Sequence, residues 1–194
     1  FLTALPFLRD TGKIKSGQRV LIYGASGSVG SAAVQISKIF GAEVTAVCST
    51  SNVEWVKKLG ADYVIDYTRE DFTKSGKTYD IIFDTVGKIH YSKSNKSLTD
   101  HGVFLEAGIG MGILHQVVWT SMFKGKKAKI AATGLRPPHE RKKDLIQLAG
   151  FLEDGQIQPV IDRTYNLEDI ADAHAYVEQG HKKGNVVISV RKPQ

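Results

Sequence analysis

Short apolar runs alternate along the chain with segments whose apolar residues recur every three to four positions. Arg19-Val20-Leu21-Ile22-Tyr23 is an apolar run ending at a glycine, which predicts a buried parallel strand. Val29, Ala33, Ile36 and Phe40 then share one helical face, and Gly41 stands where a C-cap glycine belongs. Residues 43–48 predict a second strand, rich in Val and Ala. After it, Ser51-Asn52-Val53-Glu54 matches a capping box with Ser51 as N-cap, and Val53, Val56 and Leu59 supply the apolar stripe up to Gly60. Residues 63–66, 79–84 and 102–106 predict the third to fifth strands, and 129–132 a sixth. Six strands interleaved with helices predict an α/β fold with a doubly wound parallel sheet. Right-handed crossovers gather the loops after the strands along one edge.

The pattern changes at Gly134-Leu135-Arg136-Pro137-Pro138, where two adjacent prolines predict a break. The boundary divides the chain into residues 1–135 and 136–194. Beyond it the sequence predicts a helix at about 142–153, an extended stretch at 159–163, a helix near 168–179 and a final strand at 186–190. That is too little for an independent domain.

Composition changes this picture in a few places. The single cysteine, Cys48, excludes a disulfide framework and a cysteine-cluster zinc site, which points to a reducing cytoplasm. No apolar run approaches the length of a membrane span. The first residue is Phe1 rather than Met, so the chain reads as a processed or excised piece. The net charge is +6, but the densest basic run, Lys124-Gly125-Lys126-Lys127-Ala128-Lys129, is short and reads as a solvated turn rather than a nucleic-acid stripe. A mild positive field also suits a phosphate-rich ligand. The six histidines are scattered and suggest no metal site. Asp84, at the end of the fourth strand, reads as an acceptor for backbone amides of the next loop rather than as a general base.

The chemistry concentrates in Gly24-Ala25-Ser26-Gly27-Ser28-Val29-Gly30. This loop follows a buried strand and opens a helix, the context in which three glycines form a dinucleotide-binding Rossmann fingerprint. Gly24 makes the exit turn, Gly27 lets the backbone approach a diphosphate, and Gly30 allows close helix–strand packing. Amides around Ser28 and Val29 at the helix N-terminus favour an anion. A tight turn with no ligand is the alternative. The phosphate-loop Gly-Lys-Ser/Thr is lacking, since Gly30-Ser31-Ala32 follows instead. Residues 46–52 carry no acid to hold ribose hydroxyls and offer Ser49, Thr50 and Ser51, groups that donate to a 2′-phosphate; this favours NADP(H) over NAD(H). None of the seven tyrosines is followed four positions on by lysine, which argues against the short-chain reductases.

Together with this loop, Leu59-Gly60-Ala61-Asp62, Val64-Ile65-Asp66-Tyr67, residues 79–87 and residues 180–187 resemble the medium-chain dehydrogenase/reductase superfamily, in its zinc-free quinone oxidoreductase-like branch. The resemblance implies that Tyr67 stacks near or bonds the adenosine 2′-phosphate beside Ser49 and Ser51. It also implies that Thr85-Val86-Gly87 and Ala107-Gly108-Ile109 line the nicotinamide ribose. Two positions depart from it: Asn52 and Asn185 stand where related enzymes often carry lysine.

The parent activity so implied is hydride transfer from NADPH to a quinone or an activated C=C or C=O group. Residues 136–194 would then be a C-terminal remnant completing a GroES-like catalytic domain that precedes this chain. The catalytic residues and the small-molecule substrate site would lie there, and the chain alone would bind cofactor and turn over poorly or not at all. A homodimer through the sheet edge and a cytoplasmic setting are further expectations. Two alternatives stay open: a non-catalytic dinucleotide-binding, redox-sensing module, and the cofactor domain of a zinc-dependent alcohol dehydrogenase.

Overall fold

The computed structural model describes residues 1–108, 111–122, 125–131 and 133–190. Its centre is a parallel sheet of six strands in the order β3-β2-β1-β4-β5-β6. The strands are β1 (Arg19–Tyr23), β2 (Glu43–Cys48), β3 (Tyr63–Asp66), β4 (Tyr79–Asp84), β5 (Leu98–Glu106) and β6 (Lys127–Ile130). The first four match their predicted bounds. Because β1 lies between β2 and β4, the strand order reverses beside it, and the crevice at a sheet's C-terminal edge opens at such a switch point.

Alternation along the strands feeds two cores. On one face Val20, Ile22, Val44, Ala46, Ile81 and Phe83 meet the helix α2 (Ser28–Ile39) and an N-terminal helical segment. That segment runs from α1 (Ala4–Pro6) into a π-helical turn, Phe7–Thr11, neither of which the sequence pattern predicts. Its Phe7 stacks on Phe83 with ring centroids 5.0 Å apart. On the other face Leu21, Val47, Ile82 and Phe104 pack with Phe72 and Leu98. Helices therefore cover both sides of the sheet.

Several expectations are corrected. The predicted capping box does not form: a 3-10 turn, Thr50–Asn52, starts from Ser49 and leads into α3 (Val53–Lys58), which leaves Ser51 inside the turn. Local side-chain bonds win here, because Asn52 Nδ2 donates to Ser49 Oγ (2.9 Å) and Trp55 Nε1 donates to Asn52 Oδ1 (2.8 Å). β5 starts at Leu98, four residues before the predicted bound, by pairing Leu98 with Tyr79 ahead of a register shift. β6 starts two residues before the predicted strand, so half of the basic run is edge strand rather than turn. Lys127 Nζ donates to the Thr120 carbonyl (2.6 Å) and Lys129 Nζ to the Thr11 carbonyl (3.1 Å). Lysines on an edge strand also discourage stray pairing. Ala132, placed in the predicted sixth strand, lies outside the described residues.

The proline pair starts an element as well as ending one. Pro138 is the first residue of α6 (Pro138–Glu153), where its fixed φ suits a helix and its missing N–H costs nothing. The predicted extended stretch and final strand are β7 (Ile161–Asn166) and β8 (Asn185–Ser189), which pair in parallel as a separate two-stranded sheet with α7 (Ile170–Glu178) between them in sequence. This tail meets the main unit at a bridge between Gly27 and Gly184, and Gln35 of α2 exchanges two hydrogen bonds with the Gln158 backbone. It is also tied down through α6. Arg9 Nη2 lies 2.7 Å from Asp144 Oδ1, and Arg136 bonds Asp144, Asp10 and Glu140. No helix among the described residues is long and apolar enough to cross a membrane.

Candidate functional site

The chain leaves β1 through Gly24, whose φ of +78° lies in the left-handed region that glycine adopts without strain. A Cβ there would stand 2.2 Å from Val86 Cγ2. Gly24 and Ala25 both donate from the backbone to the Val47 carbonyl (3.1 and 3.0 Å), pinning the turn to β2. Gly30 sits under the turn, and a Cβ on it would lie 2.1 Å from the Gly24 carbonyl oxygen. At Gly27 the same test meets only the Gly24 carbonyl oxygen, at 3.6 Å. Packing therefore requires glycine at 24 and 30, whereas at 27 it leaves an open approach. Since α2 begins at Ser28, the amides of Ser28, Val29 and Gly30 have no carbonyl one turn back in the helix.

A cavity of about 440 Å³ opens over this loop. Gly24, Ser26, Gly27, Ser28, Val29, Tyr67, Thr85 and Val86, all expected at the site, line it. Thr85 is held in place there: its Oγ1 donates to the Tyr23 carbonyl (2.8 Å), with the Gly24 carbonyl 3.2 Å away. Asp84 is fully buried and accepts from the amides of Val86, Gly87 and Ile89 at 2.8–2.9 Å, the role its position suggests. It shapes the loop and is not a base at the cavity. Gly108 lies against Gly87, with 3.6 Å between the Cβ a side chain would add and Gly87 Cα. Ile109 lies outside the described residues.

Ser49, Thr50 and Ser51 follow β2 but do not line the cavity. Ser49 Oγ and Ser51 Oγ are 3.5 Å apart, and Thr50 Oγ1 donates to Asp66 Oδ2 at 2.5 Å. The acid lacking from residues 46–52 is thus supplied in space by Asp66, from the end of β3, a neighbour that spacing along the chain does not reveal. Its carboxylate also accepts from the Thr68 amide (3.0 Å) and hydroxyl (2.7 Å) and faces Arg69. The Thr50 hydroxyl above all, with these other donors, holds the Asp66 carboxyl below the usual carboxylate range. Tyr67 follows it, half exposed, with its ring 6.2 Å from that of Tyr23. Cys48 is buried, and burial pushes its thiol up to about 11, which fits a small packing residue.

Five lining residues are not singled out by the sequence pattern: Tyr23, Lys88, Val177, Gly180 and Lys182. Lys182 Nζ donates to Ser28 Oγ (2.5 Å) and to the Gly184 carbonyl (2.7 Å). Its segment is one that carries the family resemblance, and the fold brings it to the loop through the Gly27–Gly184 bridge. A larger cavity of about 800 Å³ lies elsewhere, along α5 (Met111–Ser121), with Tyr91, Val118, Trp119 and Met122 in its walls. Its lining is almost wholly apolar and holds no phosphate-binding loop, so the glycine-loop cavity is the candidate for a charged ligand. Among the described residues no cluster of His, Cys, Asp or Glu is arranged to hold a metal ion.

Comparison with known proteins agrees with this architecture. The family model described as zinc-binding dehydrogenase matches residues 59–188. The mouse protein named NAD(P)H oxidoreductase RTN4IP1, mitochondrial, is 37% identical over 196 residues, covering 90% of this chain and 48% of that protein. The Arabidopsis thaliana chloroplast envelope quinone oxidoreductase homolog is 31% identical, over 96% of this chain and 58% of its own length. Among solved structures, the quinone oxidoreductase from Coxiella burnetii superposes with a TM-score of 0.85 at 27% identity, over 98% of this chain and 58% of that one. The chain spans about half the length of the curated relatives it matches. With a six-stranded parallel sheet, a glycine loop at its switch point and these matches, the chain belongs to the zinc-binding dehydrogenase family, on the quinone oxidoreductase-like branch of the medium-chain dehydrogenase/reductase superfamily.

Proposed function

We propose that this chain is the cofactor-binding part of an oxidoreductase and holds NADP(H) at the Gly24–Gly30 loop. One observation carries the reading: a glycine at position 27 that no internal contact requires, at the mouth of a cavity and next to the first amides of α2, for which the helix itself offers no carbonyl. The residues fit such a group. The open face at Gly27 admits a diphosphate, and no acidic side chain lines the cavity. Bound there, the nicotinamide supplies a hydride for an acceptor such as a quinone or an activated C=C or C=O group. The chain's own part is positioning. Asp84 fixes the loop at Val86, Thr85 fixes that loop to β1, and Gly108 packs against Gly87 beside it.

The preference for the phosphorylated cofactor rests on the Ser49 and Ser51 hydroxyls and on Tyr67. Asp66 opposes it, but its oxygens already accept from Thr50 and Thr68. Residues 1–135 form the dinucleotide unit in this reading, and residues 136–194 return toward a substrate-facing half that completes the enzyme. Two copies pair along the β6 edge, beside the exposed Val118 and Met122 of the α5 region. The buried Cys48 suits a reducing compartment such as the cytoplasm.

Titration of the purified chain with NADPH and NADH, followed by tryptophan fluorescence, tests the core of this reading. The expected result is saturable binding of both, with NADPH at least about tenfold tighter (about 1.4 kcal/mol). Preference for NADH sinks the phosphate pocket, and binding of neither sinks the cofactor reading.

A further inference from the structure

We propose that Lys182 is the cation that clasps the diphosphate of the dinucleotide, a role assigned by the contact of its ammonium with Ser28 at the first turn of α2. The inference rests on the cofactor reading above and adds a residue to it.

Lys182 stands on the segment between α7 and β8, far from the loop in sequence. That segment is locked onto the loop by the Gly27–Gly184 bridge and by the Gly184 amide, which donates to the Ser26 carbonyl at 2.9 Å. Ser28 Oγ donates to the Gly184 carbonyl (2.6 Å), which leaves its lone pairs facing the lysine. The ammonium donates to that hydroxyl and to the same carbonyl, so two of its three hydrogens are placed and the third remains for a ligand. A long side chain that usually roams is here held against the loop before any ligand arrives, which lowers the entropic cost of binding.

The charge balance points the same way. Both partners of the ammonium are neutral, and among the described residues no carboxylate comes within salt-bridge distance of it. The nearest acid acting on it is Asp162, whose Oδ2 already accepts from the Tyr176 hydroxyl (2.6 Å) and the Lys183 amide (2.9 Å), with Arg163 beside it. The ammonium is half-buried, and burial pulls its pKa below the ordinary lysine value, with Asp162 only partly offsetting this. A desolvated cation without an anion is costly, and an anion at hydrogen-bond distance relieves it. The other cation on the cavity wall, Lys88, is exposed and shared with a neighbouring cleft. Asn185, three residues beyond Lys182, does not compete for the role, because its side-chain amide donates to the Val160 carbonyl (3.0 Å).

The diphosphate is common to NADH and NADPH, and this makes the test selective. Calorimetric titration of both dinucleotides into the wild-type chain, Lys182→Met and Lys182→Arg, at low and high salt, separates the outcomes. Lys182→Met is expected to weaken both dinucleotides by the same factor, about tenfold, and to flatten the salt dependence. Lys182→Arg should stay within about threefold of wild type, and the ligand-free thermal midpoints of both variants should match wild type. Unchanged binding in Lys182→Met overturns the inference while leaving the cofactor reading intact. Loss confined to NADPH also overturns it, since the lysine would then read the 2′-phosphate. If the wild-type chain binds neither dinucleotide, the cofactor reading itself fails and this inference falls with it.

Discussion

A side chain at Gly30 would place its Cβ 2.1 Å from the carbonyl oxygen of Gly24, so the third glycine of the loop is demanded by the first. The backbone on both sides of this contact is fixed, at Gly24 by bonding to β2 and at Gly30 by α2, and neither can yield cheaply. Gly30→Ala is therefore expected to destabilise the fold by about 2–3 kcal/mol. For a chain of this size that lowers the thermal midpoint by about 5–10 °C. Gly134→Ala, where an added Cβ meets nothing within 4 Å, is the matched control and should leave the midpoint unchanged.

Gly27 lies three residues from Gly30 and predicts the opposite behaviour. Its φ of −81° suits any residue, and a methyl group would meet only one carbonyl oxygen at ordinary contact distance. Gly27→Ala should keep the wild-type midpoint within about 0.5 kcal/mol. The methyl would, however, occupy the approach to the first amides of α2, so NADPH affinity should fall about tenfold or more. A variant that binds as tightly as wild type would show that the backbone is not approached at this position.

Asp84 supplies a third expectation. It is fully buried at the end of β4, and its carboxylate accepts three loop amides. Asparagine keeps one acceptor oxygen but turns an NH2 group toward an amide donor. Asp84→Asn should cost about 2–3 kcal/mol in denaturant titration. Hydrogen exchange should speed up at the amides of Val86, Gly87 and Ile89, with little change in β3. Uniform protection loss across the sheet would mean that the carboxylate supports the core rather than this loop.

The contrast between these residues shows what the sequence makes legible. Strands β1 to β4 are readable because each is a short apolar run bounded by turn residues, and buried parallel strands leave that imprint. The glycine loop is readable because its spacing and its strand-to-helix context occur within a few residues of each other. Asp66 beside Thr50, and Lys182 beside Ser28, are pairs of residues far apart in the chain, joined only once β3 and β8 take their places. The capping box fails for a related reason: its motif competes with Asn52, whose side chain bonds both Ser49 and Trp55. The π-helical turn at Phe7–Thr11 leaves no periodic signal of its own, since tertiary packing of Phe7 on Phe83 holds it.

The N-terminal segment gives the last prediction, one of pH. Asp10 is drawn below the usual carboxylate range, mainly by its hydrogen bonds from Arg9, with Arg136 adding charge, and burial works partly against them. Arg9 Nε lies 2.6 Å from Asp10 Oδ1, and Arg136 Nη1 lies 3.0 Å from Asp10 Oδ2. A carboxyl whose folded pKa lies below its unfolded value, about 3.9, binds protons more readily when unfolded. Its stabilising contribution is therefore complete above about pH 5 and is lost as pH falls through the folded pKa. Asp10→Asn removes that contribution at every pH. The variant should be less stable than wild type at pH 7, by about 0.5–1 kcal/mol for a partly exposed pair screened by solvent. The two proteins should converge in urea titrations as pH falls through the folded pKa. A difference that stayed constant down to pH 2 would assign the effect of the substitution to lost packing, since only the ionic contribution titrates away.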